Sequence, residues 1–352
     1  MNTRRHVVRT SAGSLVLFLL GLSLVSAQSK VGTTSAQFLG IPVGMRAVAM
    51  GGTGVAQAED VSAVYWNPGA LAQVPQSAFS FVNTDWLAGT KFQWFGFMLK
   101  LDPDNALGMS FTQLDYGEDE VTTVAQPDGT GQRWTARDLA IGVSYARRLT
   151  DRFSIGGSAK YVSQSIWNES ASTITFDVGL LFVTGLHDMR LGMSMSNFGG
   201  DMQLDGRDLL NKVDIDPSNP GGNKTLVGKL KTDAWPTPLF FRVGVAMDVV
   251  KSDLVTATVA ADALRPSDNQ MTVNAGVEVT WMNLLSLRAG YKAIPFSGID
   301  KAYGQNTQQD GLTLGAGVQY EFTGIGTIEV SYTYISFGDF GNLNAIGIGF
   351  AF

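Results

Sequence analysis

The chain has 352 residues, with 41 glycines, 11 prolines, no cysteine and a formal net charge of −6. The acidic balance disfavours nucleic acid, whose phosphates demand a basic face, and the lack of Cys excludes a disulfide framework and a thiolate metal site. Only 16% of residues are charged against 45% hydrophobic, where a soluble domain is about 25% charged, yet the mature chain has no apolar run of the ~18 residues a helical span needs.

The first segment reads as an address. Arg4, Arg5, His6 and Arg9 precede the apolar run 15–25, which is too short to span a bilayer, and Val25-Ser26-Ala27 fits a small-x-small cleavage site. Residues 1–27 are expected to be a signal peptide, with the mature chain starting at Gln28 and exported to the bacterial cell outer membrane; the alternative is an uncleaved anchor. No Cys stands at the cleavage site, so a lipoprotein is not expected. Residues 28–76 are rich in Gly and Ala and show no sustained two-residue alternation. Short helices or loops are expected within 46–58 and 60–72, broken by Pro68 and Pro75. This segment is read as a compact N-terminal plug.

From Ser77 onward the pattern is strand after strand, making 77–352 an outer-membrane barrel. Leu139, Ile141, Val143 and Tyr145 alternate with Asp138, Ala140, Gly142 and Ser144; Phe241, Val243, Val245, Met247 and Val249 alternate with Arg242, Gly244, Ala246 and Asp248. Such apolar-out, small-or-polar-in runs suit tilted membrane strands. The predicted fold is all-β: a transmembrane antiparallel β-barrel of about 14 strands. The strands fall at 77–85, 89–101, 104–116, 136–149, 151–167, 171–185, 187–198, 236–251, 253–265, 269–281, 284–293, 310–322, 326–337 and 343–352. With an even strand count and a periplasmic end to the last strand, the periplasmic turns lie at Asp102-Pro103, Thr150-Asp151, Leu186-His187, Ser252, Met282-Asn283 and Gly324-Ile325, all short. The long connections 117–135, 199–235 and 294–309 all fall on the other side, the asymmetry expected of such barrels. Ile346, Ile348, Phe350 and Phe352 share one face, and Phe350 and Phe352 are read as the C-terminal assembly signal. Trp86, Tyr116, Trp134, Trp167, Trp281 and Tyr291 near strand ends form interfacial girdles or ordinary aromatic packing. A soluble β-sandwich or solenoid is the alternative; no repeat of fixed period supports a solenoid.

The most specific segment is Gly44-Met45-Arg46-Ala47-Val48-Ala49-Met50-Gly51-Gly52, continuing through Ala56, Ala58 and Glu59-Asp60 to Val64-Tyr65-Trp66-Asn67-Pro68-Gly69-Ala70-Leu71. Together with Asn197-Phe198-Gly199, Asp205-Gly206-Arg207-Asp208-Leu209, Pro238-Leu239-Phe240-Phe241-Arg242-Val243-Gly244 and Phe337-Gly338-Asp339-Phe340-Gly341-Asn342, it resembles the PorV/PorQ family of FadL-like outer-membrane barrels. The resemblance implies a 14-stranded barrel with its N-terminal segment folded inside as a plug. Gly44, Arg46, Ala47, Met50, Gly51, Gly52, Asp60, Trp66, Asn67 and Pro68 would be the plug motif, and Asn67-Pro68-Gly69 looks like the Asn-Pro-Ala element of such plugs with Gly in place of Ala. Asn67 before Pro68 is also pushed out of the helical region, which serves a bend without any transport.

Other motifs carry little. Gly51, Gly52 and Gly54 lack the strand, spacing and Lys of a phosphate loop, and Gly221-Gly222-Asn223-Lys224-Thr225 lacks the upstream Gly. Asp115, Glu118, Asp119 and Glu120 enter an outer loop without calcium-loop spacing and are read as solvated. His6 leaves with the signal peptide and His187 sits in a periplasmic turn, so no catalytic triad or metal cluster assembles. The chain is not expected to be an enzyme, and no cofactor or metal is implied.

The resemblance implies an interaction or shuttle component of type IX protein secretion, with the translocon and the C-terminal signal domains of secreted cargo as partners and outer-membrane lipid around the barrel. Gly206, Arg207, Asp208, Leu209 and Trp235 of the 199–235 loop are the candidate partner-binding residues; alternatively Arg207 and Asp208 tie that loop to the rim. The second reading is a FadL-like channel for a hydrophobic ligand, which needs an apolar lumen pocket and a break in a strand, as Gly156-Gly157 would permit. The third is a structural barrel without transport. A closed polar lumen favours the first, a continuous apolar pocket the second.

Overall fold

A computed structural model of the protein describes residues 31–352 apart from 58–59, 187, 217, 220–224 and 296–310. The expected signal peptide, the start of the mature chain and His187 lie outside the described residues. The barrel strands are β1 Ala78–Asp85, β2 Lys91–Lys100, β3 Asn105–Glu120, β4 Arg133–Thr150, β5 Phe153–Ile166, β6 Glu169–Val183, β7 Arg190–Gly199, β8 Phe240–Lys251, β9 Val255–Pro266, β10 Thr272–Trp281, β11 Leu285–Pro295, β12 Leu312–Phe322, β13 Gly326–Ser336 and β14 Asn342–Ala351. Each pairs antiparallel with the next, and β14 returns to β1 through a register from Ala78↔Ala351 to Thr84↔Ala345. The result is a closed 14-strand antiparallel barrel with no free edge, the way strands can cross a bilayer with every backbone group paired.

The two-residue alternation sets which side chain faces where. On β4, Ala140, Gly142, Ser144 and Ala146 are buried while Ile141, Val143 and Tyr145 are exposed. Phe81, Phe95, Phe111, Leu107 and Met109 continue the exposed band on β1 to β3. A band of this extent would drive association in water; against lipid it is the outer face of the barrel. At the short-turn end Phe79 packs on Phe350 at 5.7 Å and Phe350 stacks on Phe352 at 5.8 Å between ring centroids.

Three details differ from the periodic reading. First, β3 and β4 continue past a bulge between Asp115 and Glu118 to the pair Glu120↔Arg133. Both ends of the expected 117–135 loop, 117–120 and 133–135, are therefore strand, and Asp115, Glu118, Asp119 and Glu120 are strand residues, with Glu118 and Asp115 paired to Arg133 and Arg137. Second, a bulge between Asp248 and Val250 makes Val249 an extra residue, so the β8 alternation ends there. Third, Trp86 packs inward on Phe92 and Phe337 rather than facing lipid.

Inside the barrel lies the N-terminal segment. It enters at the long-loop end, where Thr34 Oγ1 donates to Asp268, Ser35 N donates to Pro236 O and Ala36 N donates to the Gln164 side chain. A 3-10 turn, Gln37–Gly40, is followed by α1 Met45–Ala49, α2 Ala63–Trp66 and a second 3-10 turn, Pro68–Gln73. The chain leaves at the short-turn end, where Ser77 Oγ accepts from Lys100 N and Ser77 O from Phe352 N. Val43 and Leu71 are fully buried in one cluster with Trp94, Met98 and Leu181 of the wall, and Met50 packs with Ala246 and Ala260 of the wall in another. The core of the molecule is thus the interface between this segment and the inward rows of the strands.

Candidate functional site: the seated inner segment and the outer hairpin

The inner segment is held to the wall at two seats. At the first, α1 ends on Met50, and Gly51 and Gly52 follow with φ +77° and +80°. A Cβ on Gly276 of β10 would stand 2.2 Å from Met50 O, and one on Gly290 of β11 would stand 2.1 Å from Gly51 N. Glycine on the wall therefore lets backbone touch backbone. Thr313 of β12 closes the contact, accepting from Gly51 N at 3.0 Å and donating to Ala49 O at 2.8 Å.

Buried charge surrounds this seat. Arg46 of α1 donates two hydrogen bonds to Glu278 Oε1, at 3.0 and 2.6 Å; Arg288 Nε donates to Glu278 Oε2 at 2.6 Å and its Nη2 reaches Glu329 at 3.0 Å. Asp262 Oδ2 accepts from the backbone of Gly54 and Val55 at 2.9 and 3.0 Å, clamping the next loop. Gly54 lies on the Trp66 ring, and Trp66 Nε1 donates to Val43 O at 2.9 Å. Arg242 is enclosed by Phe240, Tyr65 and Trp66 with 4.8, 5.4 and 5.6 Å to their centroids, a cation over three aromatic faces.

The second seat centres on Asn67, which is extended (φ −161°) as a residue before proline should be. Its Nδ2 donates to Val55 O and to Leu180 O of β6, both at 2.8 Å, and its Oδ1 accepts from Gly69 N at 3.1 Å. One fully buried amide thus ties the segment to itself and to the wall. A Cβ on Gly156 would meet Pro68 O at 2.5 Å, and one on Gly69 would meet Gly179 O at 2.5 Å. Gly156 and Gly157 pair in continuous register with β4 and β6. Gly156 serves this close approach, and neither glycine makes a strand break. Asn67→Ala is expected to lower stability by about 2–3 kcal/mol, because a buried carbonyl and a half-buried one lose a donor at once. A fall in the denaturation midpoint of the detergent-folded barrel checks it, and an unchanged midpoint would contradict the assignment.

The 199–235 loop is a structured projection. Its stem pairs Met202–Gln203 with Ala234–Trp235, and its arm pairs Leu210–Val213 with Leu226–Lys229. Asp205 and Gly206 add to the end of β6, where a Cβ on Gly206 would strike Asn168 O at 2.3 Å. Asp208 accepts from Asn168 Nδ2 at 2.7 Å, its N donates to Glu169, and Arg207 pairs with Asp208. Leu209 O accepts from Leu230 N. Gly206 and Asp208 therefore tie the loop to the β5–β6 turn. Beyond the tie, Val213, Ile215, Leu226, Val227 and Leu230 are exposed. Trp235 is 44% exposed beside Met202.

Two sizeable cavities flank the inner segment. One of about 490 Å³ lies beneath the projection, with Gln164, Lys231, Asp233 and Trp235 in its lining; the other, about 210 Å³, opens at the short-turn end beside Arg46, Asp60 and Glu329. Both mix polar and apolar lining. Among the described residues no group of three His, Cys, Asp or Glu could hold a metal, and no helix is long and apolar enough to cross a membrane.

A closed 14-strand wall, an apolar outer face and a chain segment seated in the lumen define a β-barrel of the kind that spans an outer membrane. Residues 25–180 of the chain match the family described as Type IX secretion system protein PorV. Similar solved structures include the CymD monoaromatic hydrocarbon channel, at 14% identity over 89% of this chain and 98% of that one with TM-score 0.57. The toluene transporter TbuX of Ralstonia pickettii is similar at 12% identity over 88% and 97% with TM-score 0.52, and the toluene transporter TodX of P. putida at 14% over 88% and 99% with TM-score 0.52. No curated protein matches the sequence.

Proposed function

We propose that this protein is an interaction component of type IX secretion: a plugged barrel, anchored in outer-membrane lipid, that presents the 199–235 projection to secretion partners. The match of residues 25–180 to the PorV family carries this reading. The geometry that accords with it is a lumen occupied by residues anchored at two seats and an outer arm carrying exposed Val213, Ile215, Leu226 and Val227 on a short two-stranded sheet. Apolar side chains on a strand pair with free edges suit protein contact by strand addition and side-chain burial. In this reading residues 1–27 are removed on export, 28–76 form the plug, 77–352 the barrel, and Phe350 and Phe352 guide assembly. The partners are the translocon and the C-terminal signal domains of cargo.

A photo-crosslinking residue at Val227 is expected to capture a translocon component or secreted protein in the native host, whereas one at outward Ile141 captures none. Capture of nothing by Val227, with a hydrophobic compound copurifying, would move the function to the FadL-like channel. One observation favours that second reading: the β6–β7 ladder shifts register between Phe176 and Val178, beside Asn197 at φ +65°. This is the sort of wall irregularity a lateral exit requires.

A further inference from the structure

The cavity of about 210 Å³ at the short-turn end lies between the inner segment and the seam where the barrel closes. It exists because the inward row there is small. Ala78 and Ser80 of β1 and Gly349 and Ala351 of β14 face space that larger side chains would fill, while Gly347, deeper in the row, is covered by Met45. A Cβ on Gly349 would find its nearest neighbours at 3.8 and 3.9 Å, ordinary contact, so no close approach explains that glycine. Register places the mouth at Ala78, Thr327 and Ala351, with Ser80, Glu329 and Gly349 one pair of positions deeper. One wall is apolar, with Val61, Val74, Pro75 and Ala78.

The floor is charged and unbalanced. Arg46 and Arg288 are joined through Glu278, and Arg288 reaches Glu329. Asp60 also lines the space, its carboxylate accepting from Ser62 N. Among the described residues, two cations thus stand with three carboxylates. Burial pushes the Asp60 carboxyl above its ordinary range, against the pull of Arg46. A cation arriving at the cavity would offset that cost.

We propose that this cavity is a binding site for a small organic ammonium compound, its cationic head between Asp60 and Glu329 and its short apolar body against Val61, Val74 and Pro75. The site faces the opposite end of the barrel from the projection and does not depend on what that projection binds. A space of this size takes a ligand of about ten heavy atoms and buries most of it, while the single excess charge selects its sign.

The test uses the full chain in detergent, titrated calorimetrically with n-pentylammonium, pentanoate and n-pentanol. Pentylammonium is expected to bind and the other two to bind at least about tenfold more weakly. Asp60→Asn keeps the acceptor for Ser62 N but removes the charge, and should weaken pentylammonium about tenfold. Gly349→Leu and Ser80→Leu fill the cavity from two strands without touching a charge, and either one that folds should abolish binding. No binding of pentylammonium to the native chain would overturn the proposal. So would equal binding of pentanoate, or binding that survives in a folded cavity-filled variant.

Discussion

Glu278→Gln is expected to be among the most damaging single substitutions in the protein, at about 3–5 kcal/mol of stability. Glu278 is the shared partner of two arginines, and the side chains of Arg46, Glu278 and Arg288 are 9%, 5% and 4% exposed. An amide there takes away the carboxylate that both guanidinium groups share: Arg46 loses its bidentate acceptor, while Arg288 keeps Glu329. The loss should fall on the inner segment, because Arg46 belongs to α1 while Glu278 belongs to the wall. The double variant Arg46→Met with Glu278→Gln removes one charge of each sign and leaves Arg288 bonded to Glu329 and Ser331, both at 3.0 Å. It should therefore be more stable than Glu278→Gln alone, the reverse of additive damage. Guanidinium denaturation of the four members of this cycle measures it. Trypsin adds a local readout, since Arg46 is protected while α1 is seated and becomes a cleavage site in Glu278→Gln. A double variant as damaged as the sum of its parts would show that the network does not hold the segment in place.

Much of the barrel is legible in sequence because membrane strands must alternate. Ile141, Val143 and Tyr145 against Ala140, Gly142 and Ser144 state both the strand and its inward face, and the even parity of short and long connections checks the count. What alternation does not carry is register. The bulges at Asp115 and Asp248 add residues that keep a plausible pattern in one dimension and appear only once partners are aligned. The seats were half legible. Met50, Gly51, Gly52, Asn67 and Pro68 stand out as a motif, and Arg242 and Glu278 occupy inward phases of their strands. An inward charge in a barrel wall is also ordinary lumen lining, so phase alone does not name its partner. Arg46 and Glu278 are 232 positions apart, Gly51 and Thr313 262. Contacts at such separation are set by the path of the segment through the lumen, which no local pattern encodes. The projection was legible as a long polar loop but not as a paired arm. Arg207 and Asp208 are a conspicuous charged pair, and Asp208 fastens the loop to Asn168 and Glu169 while Arg207 pairs with Asp208. The exposed surface lies in Val213, Ile215, Leu226 and Val227, which resemble breaks in a polar loop until Leu210–Val213 and Leu226–Lys229 are seen to pair.

Gly51→Val should unseat the inner segment, while Gly52→Ala, one residue away, should leave it in place. Both glycines have left-handed backbones, at φ +77° and +80°, so each substitution carries a backbone cost of about 1–2 kcal/mol, larger for a β-branched residue. They differ in what the new side chain meets. At Gly51 a Cβ lies 2.8 Å from Ala275 O and from Tyr291 O and 2.9 Å from Tyr291 N, atoms of the wall's own ladder that no rotamer change can move. At Gly52 the nearest atoms are the Asn274 amide at 3.2 Å and the Trp66 ring at 3.6 Å, side chains with room to give. Relief at Gly51 therefore requires the segment to lift from β10 and β11. Lifting breaks the hydrogen bonds of Gly51 and Ala49 with Thr313 and pulls on the Asp262 clamp at Gly54 and Val55. In planar bilayers the native protein and Gly52→Ala should be closed and Gly51→Val should conduct, with Arg46 newly open to trypsin. Conductance without a new cleavage site would place the opening elsewhere in the lumen. A closed, protease-resistant Gly51→Val would mean that the wall between Ala275 and Tyr291 yields more readily than the seat, and the bulge between Val273 and Ala275 is where that yielding would have to occur.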